Sequence, residues 1–156
     1  MAAQDHNYRV AVVWTGNRGT GTETYRGYGR DHVVQAAGKA EIAGSSDPAF
    51  LGDKARWNPE EMLVTALSSC HMLWYLHLCA TSGVSVLSYQ DAAAGVMAED
   101  ASGAGRFALV VLRPVVRVRA GDDVALALAL HDKAHEMCFI ARSVNFPVTC
   151  EAEIVQ

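Results

Sequence analysis

Asn58-Pro-Glu-Glu-Met-Leu-Val-Thr-Ala-Leu-Ser-Ser-Cys-His-Met-Leu-Trp-Tyr-Leu-His-Leu-Cys-Ala-Thr-Ser-Gly83 reads as one long helix with both ends marked. Asn58 is an N-cap residue, Pro59 stands at the first helical position where its missing N–H is harmless, and Glu61 follows the cap by three residues, as a capping box requires. Ser82-Gly83 supplies the stop. No side chain from Met62 to Cys79 is formally charged, and apolar residues occupy nearly the whole circumference. That pattern predicts a central, buried helix. Its length would also span a bilayer, but Thr65, Ser68, Ser69, His71 and His77 would be costly against lipid, so no membrane association is expected.

Strand patterns flank this helix on both sides. Tyr8, Val10, Val12 and Trp14 alternate with Arg9, Ala11 and Val13, the period of a half-buried strand, and His32 to Ala37 reads as its partner across a glycine-rich turn. Those glycines spell neither a dinucleotide fingerprint nor a Walker loop. Gly44 to Trp57 is a loop. Beyond Gly83, Ser85 to Ala98 and Phe107 to Val118 read as the arms of a long hairpin, with Pro114 implying an edge position or a bulge. Asp122 or Asp123 then caps a second helix running to about Ser143. Val148, Cys150, Ala152 and Ile154 alternate with Thr149, Glu151 and Glu153 in a closing strand. The order ββ(β)–α–ββ–α–β argues for an α+β fold in one domain, 1–156.

Composition narrows the function classes. Of 156 residues, 51% are hydrophobic and 19% charged, which excludes a disordered chain. With 13 basic against 17 acidic side chains, a formal charge of −4 and no Lys/Arg run, there is no electrostatic footprint for nucleic acid. The amino terminus shows no charged-then-apolar secretory pattern, so a cytoplasmic protein is expected. In a reducing compartment its four cysteines do not make a disulfide framework, and none forms a C-x-x-C pair.

On the first helix, Cys70 shares a face with Leu63, Ala66, Leu67, Leu73, Trp74 and His77, an apolar layer in which a cysteine can be a small buried hydrophobe or a nucleophile. On the second, Cys138 falls in line with His131, His135 and Arg142, and positive charge near a thiol raises its thiolate fraction. Two sharper readings of that face stay open. One is a metal site at His131, His135 and Cys138, with Cys70 or water as fourth ligand. The other is a cooperating cysteine pair, Cys70 and Cys138. Cys79 and Cys150 read as structural, and His71 and His77 as core histidines.

The run N-P-E-x-x-L-x₆-C ending at Cys70, and Ala134-His-Glu-Met-Cys138 as A-H-x-x-C, resemble the signatures of the OsmC/Ohr family of osmotically inducible and organic hydroperoxide resistance proteins. The extension His71 to Cys79 is most similar to the OsmC-like branch. The resemblance implies an intertwined homodimer with curved antiparallel sheets around two long central helices. It also implies a thiol peroxidase that reduces organic hydroperoxides, holds no bound cofactor, and is regenerated by an external dithiol of the lipoyl kind. It carries the peroxidatic role to Cys70, the resolving role to Cys138 and a catalytic glutamate to Glu60. Its thiolate-binding arginine maps to Arg18 in one branch; in the other its position is held by Phe50, leaving Arg56 and Arg142 as substitutes. Glu60 also stands in the first helical turn, where it complements the helix dipole, and it is about 15 Å along the axis from Cys70. Besides the peroxidase, a noncatalytic relative binding a hydrophobic ligand in the same pocket, and the metal site, remain as readings.

Overall fold

The computed structural model describes residues 5–156, and contacts divide the chain into two compact units, one ending at Met62 and the other Leu63–Gln156. The first unit holds an antiparallel sheet of β1 (Ala11–Trp14), β2 (His32–Gln35) and β3 (Ile42–Gly44), with β2 in the middle. Trp14 Nε1 donates to the Gly29 carbonyl at 2.8 Å, and Gly29 N donates to Gly16 O at 2.8 Å. A Cβ on Gly16 would collide with the Gly29 carbonyl, so the close crossing of these two strand extensions requires glycine there. The expected half-burial of the first strand is not found: Val10, Val12 and Trp14 are 70%, 65% and 43% exposed. Its alternation marks an apolar face that this chain leaves uncovered.

The helix α1 spans Pro59–Thr81 and begins with the capping box that its sequence predicts. Glu61 N donates to Asn58 Oδ1 at 2.7 Å, and Asn58 N donates to Glu61 Oε2 at 3.2 Å. At the other end Val84 N reaches back to Cys79 O at 3.0 Å over Gly83, whose φ of 79° is the left-handed conformation of a Schellman stop. Burial differs from expectation. Only Leu67, His71, Tyr75 and Cys79 are buried, a stripe at i, i+4 spacing, while Leu73 is 62% exposed and His77 is also exposed. When every arc of a helix is apolar, counting apolar residues does not reveal which arc meets the sheet.

The second unit is organised by a three-stranded ribbon with a bend in every strand. The expected long hairpin is present, its arms divided into β4 (Val86–Asp91) and β5 (Ala94–Glu99) against β6 (Gly105–Leu112) and β7 (Pro114–Val118). The closing strand is divided likewise into β8 (Val148–Cys150) and β9 (Glu153–Val155), which run parallel to β6 and β7. The sheets are therefore mixed, not wholly antiparallel. The interruptions line up: Ala92-Ala93, Arg113 and Glu151-Ala152. There side chains join what remains of the ladder, in which Glu151 N donates to Leu112 O at 2.8 Å. Arg113 N donates to Asp91 Oδ1 at 2.7 Å, Arg113 Nε to Glu151 Oε2 at 2.9 Å, and Ser68 Oγ of α1 to the other oxygen of Asp91. Pro114 is neither at an edge nor in a bulge. It opens the central strand β7 just past the bend, as the first residue of a strand, a place where proline is tolerated.

Helix α2 spans Val124–Met137, with Asp123 accepting from Leu126 N at 3.0 Å as its cap. At 14 residues it is shorter than the expected run to Ser143, so α1 is the one long helix among the described residues. Cys138 is the C-cap, in extended conformation, and its sulfur takes the Ala141 N–H at 3.5 Å that would otherwise continue the helical ladder. Two apolar clusters lie against the helices: Tyr75, Cys79, Val84, Val116, Val118, Ala127, Leu130 and Ala134 form one. Leu67, Phe107, Val110 and Leu112 form the other.

Candidate functional site

Cys70 lies mid-way along α1, half-buried, and Cys138 at the end of α2 is 1% exposed. The two thiols are near enough for Cys70 to shift the titration of Cys138, and both are free. Burial pushes the Cys138 thiol up to about 11, and Cys70 beside it pushes the same way, while the Ala141 N–H opposes. Cys138 is thus protonated at neutral pH. An aromatic pair lies one turn from Cys70 and one residue from Cys138: Trp74 and Phe139 meet edge-on with centroids 5.6 Å apart. Phe139 is 57% exposed, which gives the cysteine pair an apolar border open to solvent.

Of the other expected site residues, Glu60, Arg18 and Arg56 belong to the first unit and Arg142 to the second. Glu60 is in the first turn of α1, in the unit that ends at Met62, and one of its oxygens is buried with no partner among the described residues. Arg18 lies in the turn after β1, its guanidinium beside Gly29. Arg56 faces Asp31 at 3.7 Å and Asp53 at 3.8 Å, and Arg142 is exposed on a short 3-10 turn.

The metal reading at His131, His135 and Cys138 does not survive, because their ligand atoms do not converge although they share a helical face. His135 is exposed, Cys138 faces Cys70, and His131 is buried with Nδ1 directed at His71. A different trio converges instead. His71 Nε2 and His131 Nδ1 are 3.0 Å apart, and Cys150 Sγ is 3.7 Å from the first and 3.8 Å from the second. Burial pushes both imidazoles down to about 4, so both are neutral near pH 7, and burial pushes the Cys150 thiol up to about 12. The Tyr75 ring stacks on His131 at 3.8 Å, fixing its plane.

From sequence Cys150 reads as a structural residue and His71 as a satisfied core histidine, with no sign that the two meet. The available signal was that a single histidine interrupts the buried stripe of each helix, at His71 between Leu67 and Tyr75 and at His131 between Ala127 and Ala134.

Comparison with known proteins follows the same outline. The family described as OsmC-like protein matches residues 52–153. An uncharacterized Bacillus subtilis protein, YmaD, is 26% identical over 152 residues, covering 96% of this chain and 93% of its own. The structure of an OsmC-like protein of unknown function from Vibrio cholerae superposes with a TM-score of 0.85 at 33% identity, over 95% of this chain and 99% of that one. An organic hydroperoxide resistance protein from Elizabethkingia anophelis shares the fold at 15% identity and a TM-score of 0.68, over 98% and 99%. With its helix caps, its bent ribbon and two thirds of its length matched, this chain belongs to the OsmC-like family.

Proposed function

We propose that the protein is a thiol peroxidase for organic hydroperoxides, with Cys70 as the peroxidatic and Cys138 as the resolving cysteine. The supporting observation is the approach of two free thiols in unlike settings, one half-open and one buried and protonated. In the first step the Cys70 thiolate attacks the distal peroxide oxygen. The O–O bond breaks, the distal oxygen stays on sulfur with its hydrogen so that Cys70 becomes a sulfenic acid, and the alkoxide takes a proton from solvent and leaves as the alcohol. Cys138 then displaces water from that sulfur, forming a Cys70–Cys138 disulfide. An external dithiol of the lipoyl kind reduces this disulfide and is itself oxidised, returning both thiols. No bound cofactor takes part.

The border of Trp74 and Phe139 favours a hydrophobic peroxide over hydrogen peroxide, by roughly 25 cal/mol per Å² of apolar surface covered. Glu60 and Arg18 are the proposed auxiliary groups, Arg18 as the cation that favours the thiolate. A homodimer completes the proposal: the uncovered apolar residues Val10, Val12 and Leu73 are surface that a second copy would bury.

Mass spectrometry of the reduced protein after one equivalent of cumene hydroperoxide tests this reading. The expected result is rapid loss of two hydrogens, mapped to a Cys70–Cys138 linkage and slower with hydrogen peroxide. Unreacted thiols after several minutes would overturn it and favour a noncatalytic protein that binds a hydrophobic ligand at the same border.

A further inference from the structure

We propose that His71 Nε2, His131 Nδ1 and Cys150 Sγ form a binding site for a borderline-soft divalent transition metal, zinc foremost, with a fourth position left to water. The geometry carries this. A tetrahedral zinc ion, about 2.0 Å from nitrogen and 2.3 Å from sulfur, sets its ligands roughly 3.3 Å (N to N) and 3.6 Å (N to S) apart. The three distances here, 3.0, 3.7 and 3.8 Å, lie within a few tenths of an ångström of that triangle. Each ligand comes from a different element, α1, α2 and β8, so the convergence is a product of the tertiary fold and not of helical spacing.

A hydrogen bond between the two imidazoles accounts for two of the three groups. One ring's N–H then uses the other ring's lone pair, and the Cys150 sulfur, 3.7 and 3.8 Å from the two nitrogens, is left with at most a share of that proton. An ion uses all three. His71 is 1% and His131 3% exposed, so packing restricts both rings, and a small rotation of each would turn its nitrogen toward a shared ion. Cys150 is only partly buried, which leaves a side for entry and for water. Asp91, Asp132 and Glu151 all act on Cys150 as negative charges, an environment that attracts a cation. Mixed imidazole and thiolate donors suit zinc, cobalt or copper, not magnesium or calcium. Binding involves no redox change: the Cys150 thiol releases its proton to solvent and its sulfur becomes the third ligand. None of the three is a member of the Cys70–Cys138 pair, so the site stands whether or not the peroxidase reading does.

The test is titration of reduced, chelator-treated full-length protein with cobalt(II), followed by zinc. Expected are the visible bands of tetrahedral cobalt and a thiolate-to-cobalt charge-transfer band, saturating at one ion per chain and bleached by zinc. Cys150→Ser should lose the charge-transfer band and weaken binding about 100-fold or more, since a thiolate ligand is removed. The double variant C70S/C138S should retain it. A spectrum that remains that of aqueous cobalt, or a band that survives Cys150→Ser and vanishes in C70S/C138S, overturns the proposal. X-ray absorption of the zinc-loaded wild-type protein needs no variant to fold. One sulfur and two imidazoles in the shell support the site; two sulfurs, or none, defeat it.

Discussion

Cys70 and His71 are adjacent on α1, yet they belong to different chemical settings, because successive helical side chains diverge by about 100°. Cys70 stays at the margin of the packed stripe, half-open, with a second sulfur as its neighbour. His71 points into the stripe, 1% exposed, with a nitrogen and a sulfur as its neighbours. The helices contribute one residue each to each setting: Cys70 with Cys138, His71 with His131. The strand contributes Cys150 to the second alone. Burial separates two chemical settings that share a scaffold. A half-open thiol backed by a buried one suits electron-pair transfer to a small oxidant, whereas two buried neutral imidazoles and a partly buried thiol suit a bound ion.

Serine substitutions should break this comparison most sharply. Cys70→Ser is expected to reduce peroxidase turnover to background, a loss of several orders of magnitude as for removal of a nucleophile. Cys138→Ser should stop after one equivalent of peroxide, leaving a sulfenic acid that dimedone traps on Cys70. Cobalt binding should be untouched in both. Steady-state turnover in Cys70→Ser would show that the open sulfur is not the reacting one, and the comparison would collapse.

The sequence exposes this division unevenly. Local chemistry was legible: the Asn58/Glu61 capping box, the Gly83 stop, the Asp123 cap, the hairpin and the position of the closing strand all follow from groups a few residues apart. The bend was not, since it depends on Asp91, Arg113 and Glu151 meeting across three strands. The end of α2 was misplaced for a related reason: Cys138 captures the Ala141 N–H with its sulfur, a cap not among the usual residue types. The signature around Cys70 and Cys138 was readable because each motif is contiguous. The trio at His71, His131 and Cys150 was not, being separated by 60 and 19 residues between successive members.

Packing substitutions probe how far the two settings are independent. Leu67 is fully buried and lies one turn before both Cys70 and His71. Leu67→Ala should cost about 2–4 kcal/mol by urea unfolding and, by loosening the shared turn, slow disulfide formation and weaken cobalt binding together. Tyr75→Phe is narrower. Its hydroxyl donates to the Ala127 carbonyl at 3.0 Å in the core, and losing that bond should cost about 1 kcal/mol. Because the Tyr75 ring also stacks on His131, any functional effect should fall on cobalt binding and leave the peroxide reaction at the wild-type rate. An equal effect of Tyr75→Phe on both would mean that the settings are coupled through the helices.

The smallest expected effect belongs to Asp122, which is remote from both settings and so provides their common reference. Its carboxylate accepts from Ser85 N at 2.6 Å and from Arg119 Nε and Nη2 at 3.1 and 2.8 Å. The Ser85 N–H, and then Arg119, hold this carboxyl below the usual carboxylate range. A carboxyl depressed in the folded state contributes stability that is present above the ordinary aspartate value, near 4, and is lost as pH falls through its folded value. Asp122→Asn should therefore lower Tm modestly at pH 7, and the gap to wild type should narrow as pH drops below about 4. Peroxide reactivity and cobalt binding at neutral pH should not change, because the carboxylate ties only the start of β4 to the Arg119–Asp122 turn. A gap that stayed constant down to pH 2 would assign the loss to packing at that turn and not to the charge. If Asp122→Asn altered either chemistry, the functional contrast would have to be sought in the rigidity of the whole second unit, not in the burial of one helical stripe.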